Sequence, residues 1–284
     1  EQPEKFQLAV ELTRLTFPYL LFMALLSLLG GMLKCAEHGY RLIFELVDTH
    51  NDHVERELKA TIAALQPDGI ILTPPHSDNP LITDLLRRYG IPFAQIGSEG
   101  VEGGIPLIMG DRSAARDATE YLIKLGHKRI GFIAGPDEYK LSGWRKDGWR
   151  DAMAAADLST ETLCANGDFS YKSGIEAARV LLSLDERPTA ILASNDLMAM
   201  ASMTVASEYG LNVPDDLSVI SFDNTPTAML SQPSLTAVDQ PIAATASRAV
   251  ELIIALQKGE PIPDAPTIVP ASLIERESTA SPKQ

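Results

Sequence analysis

The chain has 284 residues, 45% of them hydrophobic, enough to bury one large core or two linked ones. Its 24 lysines and arginines against 38 aspartates and glutamates give a formal net charge of −14. Such a surface repels phosphate backbones and argues against DNA binding by these residues alone, or against a large anionic substrate. Cys35 and Cys164 are isolated, which fits buried reduced thiols and not a disulfide framework.

Charges interrupt the stretch from Glu1 to Glu11, so it does not read as a secretory signal. From Leu15 to Leu33 no charge occurs, and Tyr19 to Leu29 is strongly apolar. Pro18, Gly30 and Gly31 bracket that run to about a dozen residues, short of the roughly 20 a bilayer span needs. It is expected to be a buried or interface helix, and no membrane association is expected. Beyond it, short β-branched runs alternate with helix-period stretches. Leu42–Val47 precedes Asp52–Leu65, whose Val54, Leu58, Ile62 and Leu65 share one face. Gly69–Leu72 precedes Pro80–Tyr89, and Phe93–Ile96 and Pro106–Met109 read as further strands. Arg129–Ala134 precedes Lys146–Ala156, Ala190–Ala193 precedes Asp196–Tyr209, and Leu217–Phe222 is another apolar run. Continuous apolar strands alternating with amphipathic helices predict an α/β fold with parallel sheets covered on both faces.

The strands are too many for one comfortable sheet, and the pattern restarts near residue 110. Two doubly wound lobes joined by several crossings are expected. In such folds ligands collect at the carboxyl ends of strands. Those ends carry Thr73-Pro74-Pro75, Asn195-Asp196 and Asp223-Asn224, a polar-ligand signature. The turns at Gly97–Gly100 and Gly103-Gly104 match no dinucleotide fingerprint, and no P-loop occurs. The run Asp48-Thr-His-Asn-Asp-His53 resembles no usual metal motif, and Asn51 or Asp52 reads as a helix cap. No Ser-His-Asp, Cys-His or paired-carboxylate arrangement stands out, so neither catalysis, a metal nor a cofactor is expected.

Several segments, read in order, resemble the lactose/galactose repressor (LacI/GalR) family of transcriptional regulators. Ala118–Gly135 is similar to its helix, Gly-His turn and strand, and Arg145-Lys-Asp-Gly-Trp149 to its Arg-x-x-Gly-aromatic element. Arg187–Ala199, Val213–Asn224, Pro233–Pro241 and Leu273–Ser278 follow at the family's spacing. The resemblance is poorest before Tyr40. There Phe17-Pro18-Tyr19 stands where the family has an Asn-Pro-aromatic loop, and Gly110-Asp111 departs from its usual Asp-Asn pair.

What the resemblance implies is a periplasmic-binding-protein type I-like fold, with lobes at 1–109 plus 241–269 and 110–240 plus 270–284. It implies a small-molecule effector, most naturally sugar-like, held between the lobes and contacted by Arg145, Asp223, Asn195, Phe169, Gln240, Thr73 and Tyr19. Arg145 would fork onto hydroxyls or a carboxylate. Phe169 would stack on a ring. Asp223 and Asn195 could equally cap turns and helices, and Gln240 could satisfy backbone groups. The family acts in the cytoplasm as a homodimer, for which the Tyr19–Leu29 helix is a candidate surface. It reads operator DNA through an N-terminal helix-turn-helix domain that is expected to be absent from this chain. A periplasmic solute-binding protein of a transporter is the alternative on the same architecture, and an enzyme the third reading.

Overall fold

The structure, a computed structural model, describes residues 30–43 and 54–283. Tyr19, the Tyr19–Leu29 segment, the Asp48–His53 run and most of the expected strand Leu42–Val47 lie outside the described residues. After a helical stretch at 30–37, the elements in chain order are α1 (Val54–Leu65), β1 (Ile70–Leu72), α2 (Pro80–Tyr89), β2 (Phe93–Ile96), β3 (Gly104–Ile108), α3 (Asp111–Leu125), β4 (Ile130–Ala134), α4 (Lys140–Ala155) and β5 (Cys164–Asn166). There follow α5 (Tyr171–Leu182), β6 (Ala190–Ala193), α6 (Asp196–Glu208), β7 (Ser218–Asp223), α7 (Pro226–Leu230), β8 (Thr236–Asp239), α8 (Ile242–Gln257), β9 (Thr267–Ile268) and β10 (Ser272–Ile274). The chain divides into two compact units, Glu1–Ile108 with Pro241–Thr267 and Met109–Gln240 with Ile268–Gln284, and passes from one to the other three times.

In the first unit the strands line up β1-β2-β3-β9, with β1, β2 and β3 parallel. Val54, Leu58 and Ile62 make the buried stripe of α1 and join Leu85, Leu86 and Phe93 in one cluster. Asn79 starts α2 by accepting the Leu81 amide, Pro80 occupies the first turn, and left-handed Gly90 ends it. Helix α8 lays Ala249, Leu252 and Ile253 on Ala94, Ile105 and Leu107 of β2 and β3. Among the described residues no helix is long and apolar enough to cross a membrane.

The second unit carries a six-stranded sheet in the order β10-β8-β7-β6-β4-β5, parallel except for β10, which runs against β8 at the edge. Alternate side chains of the buried strands feed opposite faces, as a period of two requires. Ile130, Phe132, Leu192 and Phe222 meet α3 and α4, while Ile133, Ile191, Ala193 and Val219 meet α5 and α6. On the first face Trp149 stacks on Phe132 with ring centroids 5.4 Å apart, and its indole N–H donates to the Ile130 carbonyl. Gly148 lets α3 and α4 approach closely, since a Cβ there would lie 2.1 Å from the Arg112 carbonyl oxygen.

Helix α4 begins six residues before the expected Lys146. Its buried stripe is Ser142, Arg145, Gly148, Trp149, Ala152 and Met153, so an apolar period is weak over its first turns. Helix α5 is not among the elements expected from the apolar runs; its buried stripe is Gly174, Ala177, Ala178, Leu181 and Leu182. The short strands β5, β8, β9 and β10 and the helices α3, α7 and α8 are likewise elements that the apolar runs alone do not mark.

The C-terminal segment is tied to this sheet through His127, which follows the left-handed Gly126 cap of α3. Its Nε2 lies 2.9 Å from the Ala280 carbonyl and its Nδ1 2.9 Å from the Thr189 hydroxyl. The Ser218 hydroxyl donates to the same carbonyl and accepts from the Ala280 amide. Burial holds the His127 pKa below its usual value, against the pull of the Ala280 carbonyl. The unfolded chain therefore binds the proton more readily than the folded one, so the neutral ring's stabilisation is complete above the unfolded value of about 6.5. It is lost as pH falls through the folded-state value. Urea midpoints of the wild-type protein should decline as pH falls from about 6.5 toward the folded-state value, and His127→Gln should flatten the decline; an unchanged slope would rule out this residue as its source.

Candidate functional site

In the second sheet, β4 is flanked by β5 on one side and β6 on the other, and the strand order reverses there. At such a reversal the loops leaving adjacent strands diverge to opposite faces and open a crevice at the carboxyl ends. Leaving β4 is Gly135, leaving β6 are Ser194 and Asn195, and β7 ends beside them at Asp223.

Arg145 reaches this point from the second turn of α4 and is 1% exposed. Its Nε donates to Asp111 Oδ1 at 2.8 Å, and one terminal nitrogen donates to the Ser194 carbonyl at 2.6 Å. Its guanidinium carbon stands 4.4 Å from the centre of the Phe222 ring, a cation–π contact. Asp111 is the first residue of α3, where the helix dipole favours an anion, and it too is buried. Its other oxygen, Oδ2, has no hydrogen-bond partner among the described residues.

Asn195 uses both ends of its amide. Oδ1 accepts the Met198 amide and caps α6, while Nδ2 donates to the Phe169 carbonyl at 2.8 Å. The capping and site readings of this residue are thus joined, because the same side chain that starts α6 holds the loop bearing Phe169. That loop is strained: Phe169 has φ +67, a conformation costing about 1–3 kcal/mol for a residue with a side chain. Asp168, whose carboxylate accepts the Ser170 amide, fixes the turn, and hydrogen bonds from Ser170 and Ser173 hold its pKa down. The Phe169 ring packs edge-on against Tyr139 at 5.6 Å and lies directly over Gly135, where a Cβ would meet it at 2.4 Å.

Asp223 and Asn224 follow with φ +97 and +55, two consecutive left-handed residues without glycine. Three elements brace them. Asp196 at the start of α6 accepts the Thr225 amide at 2.7 Å, Asn224 donates to Asp239 at the end of β8, and Arg276 donates to Asn224 Oδ1. Burial raises the Asp196 pKa, opposed by hydrogen bonds from Ser221 and Thr225 and by the Arg276 charge. Gln240, next after Asp239, is 7% exposed, and its Nε2 has no hydrogen-bond partner among the described residues.

Arg145, Asn195, Phe169 and Asp223 are therefore drawn to one switch point, with Gln240 at the end of the neighbouring strand. Thr73 belongs to the other unit. It is exposed after β1, with its carbonyl accepting the His76 amide, and Tyr19 lies outside the described residues. Asp111 is the site residue that sequence reasoning passed over. An acidic residue opening a helix reads as a surface dipole partner, and only its spatial pairing with Arg145 marks it. Two surface hollows of about 320 and 330 Å³ lie elsewhere, one lined by Arg129, Ser159, Glu161 and Glu186, the other by Ile62, Gln66, Tyr89 and Ile91. Neither includes a site residue.

Removing one member of a buried pair leaves the other charge uncompensated, at a cost of about 3–5 kcal/mol, whereas replacing both with apolar residues costs far less. Arg145→Met should accordingly lower the urea midpoint steeply, and Arg145→Met/Asp111→Leu should recover much of the loss. Equal destabilisation in the two variants would contradict the pairing.

Comparisons with known proteins agree with this architecture. Residues 119–279 match the family model described as a periplasmic binding protein-like domain. The HTH-type transcriptional regulator CelR of Thermobifida fusca is 31% identical over 262 residues, covering 88% of this chain and 74% of that protein. A solved CelR–cellobiose complex superposes with TM-score 0.81 at 29% identity, covering 90% of this chain and 79% of the other. A LacI-family regulatory protein from Chloroflexus aggregans gives TM-score 0.81 at 28% identity, covering 89% and 91%.

Proposed function

Because this chain belongs to the LacI family of transcriptional regulators, we propose that the switch point of its second unit holds the small-molecule effector, with Arg145, Asp223, Asn195, Phe169 and Gln240 as contacts. The observation carrying this reading is the concentration of strain and buried polarity there. Phe169, Asp223 and Asn224 are all left-handed at one edge of one sheet, and such strain persists where the surroundings over-determine it for a function. A half-buried aromatic ring beside hydrogen-bonding side chains suits a polar, ring-shaped molecule, and cellobiose in the CelR complex has that character.

The effector acts by binding one conformation of the core better than another, since it can shift the balance only by that difference. The readout is affinity for operator DNA through an N-terminal helix-turn-helix domain, in the cytoplasm. The relatives are regulators, which favours this role over a solute receptor serving a transporter and over an enzyme. A homodimer fits the chain as well. On α7, Met229 is 53% and Leu230 84% exposed, and α7 packs against α6, whose outer face carries half-buried Met200 and Met203. Apolar side chains so placed are covered in an interface.

A thermal-shift screen of metabolites should return at least one stabilising compound. Asp223→Asn should weaken it by about tenfold or more, equivalent to some 1.4 kcal/mol. Undiminished binding in that variant and in Phe169→Ala would remove the site. Leu230→Glu should convert dimers to monomers by light scattering after gel filtration; a persistent dimer would place the interface elsewhere.

A further inference from the structure

The Arg145 guanidinium does not stand as an open anion receptor. It is committed to Asp111 through Nε and to the Ser194 carbonyl through a second nitrogen, with both side chains of the ion pair 2% exposed or less. What the pair leaves over is negative: Asp111 Oδ2 is a buried acceptor with no hydrogen-bond partner among the described residues. The residues that contact Arg145 lead straight into a carboxylate and an amide, since Asp223 follows Phe222 and Asn195 follows Ser194 in the chain. The nearby cation Arg276 is itself engaged with the Leu235 carbonyl and Asn224.

We infer that Asp111 is a charge filter. By neutralising Arg145 and presenting Oδ2, it selects uncharged or cationic ligands that donate hydrogen bonds and rejects phosphate- or carboxylate-bearing ones. An arriving hydroxyl or amine satisfies Oδ2. An arriving phosphate meets an acceptor where it needs a donor, and a guanidinium whose charge is already matched. The inference rests on the effector site lying at the switch point, and it narrows the chemical class that site takes. It runs against what Arg145 alone suggests, since a lone buried arginine is a natural anion receptor.

The probe is inorganic phosphate, scored by thermal shift and calorimetry at constant ionic strength. Wild-type protein should show no phosphate stabilisation. Asp111→Asn, which keeps the shape but removes the charge, should acquire phosphate binding at least about tenfold above wild type, which corresponds to roughly 1.4 kcal/mol. The double variant Arg145→Gln/Asp111→Asn should lose that gain. Should Asp111→Asn fail to fold, Asp111→Ser repeats the test with a smaller side chain. The inference is overturned if wild-type protein binds phosphate and Arg145→Gln abolishes it, or if neither Asp111 variant gains any. Those outcomes leave the site itself standing, because its own failure is read from metabolite hits insensitive to Asp223→Asn and Phe169→Ala.

Discussion

A guanidinium taken wholly out of water sets the terms for the second unit. Desolvating such an ion costs several kcal/mol even after relaxation, so Arg145 is tolerated only where partners converge on it. Those partners come from separate elements: Asp111 opens α3, the Ser194 carbonyl ends β6, and the Phe222 ring comes from β7. Each must be in register for the cost to be offset. The ion pair therefore works as a gauge of the whole sheet-and-helix arrangement, and Gly148 on the same helix shows how closely it is drawn. With any side chain at that position, α4 could not approach α3 near enough for Arg145 to meet Asp111 as it does.

Around this fixed centre the loops are strained and braced in equal measure. Among the described residues, six without glycine's freedom are left-handed, and half of them, Phe169, Asp223 and Asn224, stand at the switch point. Each is held by a side chain from another segment: Asn195 grips the Phe169 carbonyl, and Asp196, Asp239 and Arg276 grip the Asp223–Thr225 turn. Rigid elements thus hold the loops in an order suited to selective contact, the condition under which binding avoids a large ordering cost.

Much of the architecture was legible in the sequence because parallel strands buried on both faces leave uninterrupted apolar runs. Ile130–Ala134, Ala190–Ala193 and Ser218–Asp223 needed no tertiary context to be recognised. What stayed hidden was hidden for a physical reason. The buried stripe of α4 opens on Ser142, Arg145 and Gly148 and that of α5 on Gly174, Ala177 and Ala178, so the first turns of each carry little apolar bulk to mark a period. Polar site residues were found through motif resemblance and position after strands. Their backbone strain, the partnership of Arg145 with Asp111 and the shared duty of Asn195 are products of long-range folding, and no local pattern carries them.

The threefold passage of the chain between its units has a consequence for synthesis. Helix α8, which covers β2 and β3 of the first unit, is encoded after the entire run Met109–Gln240. Strands β2 and β3 thus keep an uncovered apolar face until the whole run Met109–Gln240 has emerged. That second unit in turn lacks its edge strand β10 and the Ala280 tie until α8 and β9 have been made. Pairings so distant along the chain fold slowly and expose sticky intermediates. The strands of the first unit therefore wait longest for their cover, although they are made before those of the second.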